Sequence, residues 1–81
     1  MIPREEVYKV IDGEREYQIN KWGEDYDDSE WSVGDWIIFM ERYLNQAKMA
    51  IGYDDDALHE IRKVAGLAVA CMEFNGAPKR S

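Results

Sequence analysis

Eighty-one residues, 46% of them hydrophobic, leave room for one domain around one core. A net charge of −7 argues against a nucleic-acid backbone or an anionic membrane as the main partner, and Cys71, the only cysteine, excludes an intrachain disulfide. A chain this short buries only roughly 60–65% of its unfolded surface, so by elimination self-association is the expected stabiliser.

The first helix is expected over about residues 4–22. Pro3 suits a first-turn position, Glu5 and Glu6 follow where the helix dipole favours acids, and Gly23 marks the stop. Val7, Ile11 and Trp22 fall on one stripe, but Glu14 and Gln18 lie on that same stripe between them. Polar residues in the middle of an apolar face mark a site. Gly13 weakens this helix.

An acidic loop is expected over 23–31. Between Glu24 and Asp35 there are six acids and no base. Asp25-Tyr26-Asp27-Asp28-Ser29-Glu30 lacks the turn glycine that a calcium loop needs, which leaves a solvated loop as the reading.

The second helix is expected over 33–51. Ser32 and Asp35 form a variant capping box ahead of an apolar run. Val33, Trp36, Ile37, Met40, Leu44, Ala47 and Ile51 keep to one face, and Gly52 is the natural stop. Ile38 and Met49 point nearly opposite that stripe, and Phe39 lies to one side. A helix apolar on two faces is covered on two faces. Three helices cannot surround it, whereas a second subunit can.

The third helix is expected over 56–74, capped by one of Asp54, Asp55 and Asp56 and closed by Asn75-Gly76. From Val64 to Met72 every residue is apolar or glycine, a run too short to span a bilayer and suited to the buried central helix. Cys71 sits in that run as an inert thiol; His59 is more than three turns away and makes no nucleophile–base pair with it. A reduced thiol, no signal peptide and no long apolar run place the expectation in the cytoplasm. No stretch alternates as a strand does, so the fold class is all-α.

Glu14-Arg15-Glu16-Tyr17-Gln18 with Lys21-Trp22-Gly23, then Trp36-Ile37-Ile38-Phe39-Met40-Glu41, then Glu60 through Glu73 and Asn75-Gly76-Ala77-Pro78, occur in a characteristic order. In these pieces, from about residue 11 to 78, the chain resembles the MazG-like proteins, all-α nucleoside triphosphate pyrophosphatases, particularly the short versions carried by phages. The resemblance implies a three-helix subunit assembling into a helical bundle as a dimer or higher oligomer. It also implies a Mg²⁺ cage built from Glu-Glu-x-x-Glu on one helix and Glu-x-x-Asp on the next. The first motif falls on Glu41-Arg42-Tyr43-Leu44-Asn45 and the second on Glu60-Ile61-Arg62-Lys63.

Glu41 and Glu60 are kept, while Arg42, Asn45 and Lys63 stand where carboxylates are called for. Cations beside the cage repel a dication, so Mg²⁺ is disfavoured; Glu41 and Glu60 are the carboxylates left to offer it oxygens. A side-chain cation can still hold a phosphate, keeping anion binding without water activation. The expectation is therefore a non-catalytic protein with neither metal nor cofactor. Its ligand-binding set is Glu14, Arg15, Gln18, Trp22, Glu41, Asn45, Glu60 and Lys63, with a nucleotide or nucleotide-derived signal held at a subunit interface. The plainer alternative for the charged residues is a solvated, salt-bridged flank.

Two other functions compete: a small acidic phage inhibitor that acts on a host or defence protein, and an active Mg²⁺-dependent pyrophosphatase with a reduced cage. The partners expected are copies of the chain itself and either a nucleotide-type small molecule or a host protein. Membranes and nucleic acid are not expected partners.

Overall fold

The computed structural model describes residues 1–22 and 30–81. Most of the acidic loop, including the stretch weighed as a calcium loop up to Ser29, lies outside the described residues. The described residues form three helices and no strand: α1 (Arg4–Trp22), α2 (Val33–Met49) and α3 (Asp54–Asn75).

Local signals set the helix ends. The Pro3 carbonyl accepts from the amides of Glu6 and Val7, so α1 starts one residue beyond the proline. At α2 the Ser32 hydroxyl accepts from the Asp35 amide, and the Asp35 carboxylate accepts from the Ser32 amide at 2.9 Å, closing the capping box. The helix stops at Met49, two residues short of the expected Ile51. There the Ala50 amide donates to the Gln46 and Ala47 carbonyls, tightening the last turn, and Gly52 reverses the chain at φ 99°.

Helix α3 runs from Asp54 to Asn75 rather than over 56–74, and none of the three aspartates caps it. Tyr53 is the N-cap and makes no side-chain cap hydrogen bond; Asp54, Asp55 and Asp56 lie in the first turn, where the dipole favours them.

Helix α3 is the one on which both others pack. Trp36 stacks on Phe74, and Lys63 lies over the Tyr43 ring, so α2 runs antiparallel to α3, as the short connection at Ala50–Tyr53 requires. Helix α1 runs in the same direction as α3: Val7 and Val10 share a groove with Leu58 and Ile61, Gln18 reaches Gly66, and Arg15 reaches Glu73. Among the described residues no helix is long and apolar enough to cross a membrane.

The core is small. Trp36, Leu67, Ala70 and Cys71 are its buried residues, flanked by half-buried Trp22, Trp31, Phe39, Met40 and Tyr43. Three of the seven residues of the expected α2 stripe take part, Met40 being half-buried against the core. Trp36 and Ala47 are buried, whereas Val33, Ile37, Leu44 and Ile51 are exposed, because α3 covers one edge of that stripe and α1 barely touches α2. The apolar run of α3 is likewise divided: Gly66, Leu67, Ala70 and Cys71 are buried, and Met72 is exposed. Phe39, off the stripe, packs edge-on to Trp22 at 5.6 Å and against Trp31 at 5.4 Å.

Candidate functional site

The two polar residues that interrupt the inner face of α1 are the most deeply buried polar groups described. Glu14 is 7% exposed and Gln18 3%. Space for them comes from Gly66 on α3, which lacks the side chain that would otherwise meet both. Glu14 Oε1 accepts from Arg62 Nε at 2.7 Å, and Gln18 Nε2 donates to Glu14 Oε2 at 3.2 Å and to the Lys63 carbonyl at 3.3 Å. The buried carboxylate is thus matched by a cation, as burial of a charge demands. Gln18 Oε1 is left with no hydrogen-bond partner among the described residues.

One turn along α3, Lys63 Nζ donates to Glu60 Oε1 at 3.0 Å and sits 5.6 Å from the centre of the Tyr43 ring. Lys63 also lines a small cavity of about 320 Å³ with Glu14, Tyr17 and Arg62. The cation is occupied by its neighbour. Glu60 Oε2 is buried with no hydrogen-bond partner among the described residues.

The remaining candidates lie elsewhere. Arg15 Nε donates to Glu73 Oε1 at 2.6 Å, towards the far end of α3 from Lys63. Trp22 is half-buried at the end of α1, its ring against Phe39. Glu41 and Asn45 are exposed on the outward side of α2, where they line a cavity of about 620 Å³ together with Trp31, Asp35, Ile38, Phe39 and Arg42.

The eight residues therefore fall into separate places: Glu14 and Gln18 of α1 with Glu60 and Lys63 of α3 at the contact of those two helices, Glu41 and Asn45 outside α2, and Arg15 and Trp22 in contacts of their own. Among the described residues no three of His, Cys, Asp and Glu gather closely enough to hold a metal ion. Glu60 and Glu41 share no described cavity, and Lys63 occupies one oxygen of Glu60. Within one chain these side chains do not fit a Mg²⁺ cage.

The outer cavity sets Trp31, Ile38, Phe39 and Arg42, none of them in the expected ligand set, beside Glu41 and Asn45, which are. Trp31 and Phe39 supply aromatic surface, and their ring centres are 5.4 Å apart. Arg42 makes no ion pair among the described residues, so its guanidinium is available to an anion. Asn45 adds an amide with donors and an acceptor. Asp35 is already engaged in the capping box. The available signal was the helical period: Asp35, Ile38, Arg42 and Asn45 recur at three- and four-residue steps, on the side of α2 opposite Trp36 and Ala47. At about 620 Å³ the cavity is within the range of small-molecule sites. Its chemistry suits a planar ring system carrying an anionic group.

No protein-family model matches the chain, and the searches of curated proteins and of solved structures likewise return no match.

Proposed function

We propose that this chain is a non-catalytic, MazG-like module that binds a nucleotide or nucleotide-derived signal in the cavity on the outer side of α2. One observation carries the reading: Arg42 and Asn45, at positions where the resemblance calls for carboxylates, line the same cavity as Trp31 and Phe39. Aromatic surface stacks on a base, and a guanidinium takes a phosphate as a bidentate partner.

The same face suits a second copy of the chain. Ile38, which lines the cavity, is 70% exposed, and Met49 on the same side of the helix is 86% exposed. A second subunit laid there buries both and closes the cavity, placing the ligand at a subunit interface.

Calorimetric titration with ATP and dATP, with and without Mg²⁺, tests the proposal. Binding that needs no metal is expected, with Arg42→Ala weakening it by about 10- to 100-fold. The absence of heat and of any thermal shift with every nucleotide refutes it. That outcome favours the alternative, an acidic inhibitor that docks on a host protein, for which the exposed Val33, Ile37 and Leu44 along α2 offer apolar surface.

A further inference from the structure

We infer that the groove between the N-terminal halves of α1 and α3 is a docking site for a basic amphipathic helix of another protein. The surface is distinct from the outer cavity of α2 and shares no lining residue with it. Because α1 and α3 run in the same direction, their first halves lie side by side and leave a groove of about 430 Å³ between them. Val7, Val10 and Ile11 form one wall and Leu58, Ile61 and Ala65 the other. Val10 is 55% exposed and Leu58 60%, so the apolar walls face solvent in the single chain. Uncovered apolar surface of this kind marks an interaction site.

Its length and charge select the occupant. From Leu58 to Ala65 the α3 wall spans seven helical steps, about 10 Å at a rise of 1.5 Å per residue, or two turns. A helix presenting apolar anchors at i, i+4 and i+7 spans the same distance. Glu6 and Asp55 line the rim, and Glu5, Asp54 and Asp56 stand in the same first turns of the two helices. Against these five acids stand two bases, Lys9, 3.3 Å from Glu6, and Arg4 in the first turn of α1, while His59 lies 3.5 Å from Asp55. Arg62, the cation in the groove wall, places Nε on the buried Glu14 and Nη1 on His59. The mouth is acidic, so the complementary occupant carries lysines or arginines beside its apolar stripe.

The probe is a synthetic lysine–leucine peptide of about fifteen residues with leucines on one helical face, alongside a peptide of the same composition with the leucine phase scrambled. The expected result is saturable binding of the amphipathic peptide with helix formation seen by circular dichroism, and binding of the scrambled peptide at least about tenfold weaker. Leu58→Glu, a change at an exposed site, should remove most of the affinity. Asp55→Asn should weaken binding a few-fold and reduce its salt dependence. Val10→Glu is the second variant should Leu58→Glu fail to fold. Equal binding of both peptides, unaffected by either groove variant, overturns the inference by showing only attraction between net charges. Failure of the amphipathic peptide to bind the unmodified protein overturns it too. If Leu58→Glu also converts a dimer into a monomer by light scattering, the groove belongs to a second copy instead.

Discussion

Gly66 lies so close to Gln18 that a methyl group on its Cα would come within 2.8 Å of Gln18 Nε2 and 2.9 Å of Glu14 Cγ. A methyl group on Gly13, in the middle of α1, would meet nothing within 4 Å among the described residues. Two glycines in helix interiors therefore have opposite reasons for being there. Gly66→Ala should lower stability by about 1 kcal/mol or more: displacing Gln18 breaks its bonds to Glu14 and the Lys63 carbonyl and outweighs the gain in helix propensity. Gly13→Ala should raise stability by roughly 0.5–1 kcal/mol. Thermal unfolding of both variants checks this, and a stabilised Gly66→Ala would mean that helices α1 and α3 do not approach as described.

Arg62→Met should cost far more than Arg15→Met. The first removes the cation at 2.7 Å from a buried carboxylate and leaves Glu14 uncompensated, a loss of about 3 kcal/mol or more. The second removes the cation from Glu73, which is half exposed and screened by water, so the loss should stay within about 1 kcal/mol. Urea denaturation of the two variants measures the difference. A Glu14→Leu, Arg62→Met double variant should recover much of the loss, since no unpaired charge then remains buried.

Hydrolysis of nucleoside triphosphates with Mg²⁺ should be undetectable in the unmodified protein. Arg42→Glu with Asn45→Glu, beside the existing Glu41, puts three carboxylates into one cavity and should create measurable Mg²⁺ or Mn²⁺ affinity by calorimetry. Adding Lys63→Asp should bring no further gain, because Lys63 does not line that cavity. A large gain from Lys63→Asp would show that the two motifs meet, across subunits or by a rearrangement of α2.

Light scattering at micromolar concentration should return at least twice the mass of one chain. Ile38→Glu should shift the mass towards a single chain, because a charge placed in an apolar interface costs several kcal/mol when unpaired. Within one subunit the side chain is largely in water, so a purely local effect should stay within about 0.5 kcal/mol. A monomer in the unmodified protein, or no change in mass on Ile38→Glu, would remove α2's outer face as the contact.

By itself the sequence determined where helices form and which polar residues sit on an inner face. The Ser32–Asp35 capping box, the Gly52 reversal and the Glu14/Gln18 interruption were all legible in advance. Helix hydrogen bonds, caps and dipole preferences act within about four residues, so nearby residue types dictate them. Tertiary structure decided everything that depends on how far each helix is rotated about its axis. Val33, Ile37 and Leu44 share a stripe with Trp36 and Ala47, yet α3 covers only Trp36 and Ala47. Glu41 and Glu60, paired by their motifs, end on different surfaces, while Arg62, forty-eight positions away, becomes the partner of Glu14. A periodic pattern gives the direction of a side chain relative to its own helix. Which neighbour meets it is settled by the packing of ridges against grooves, where Gly66 lets α1 close on α3 and no comparable contact draws α1 onto the exposed side of α2.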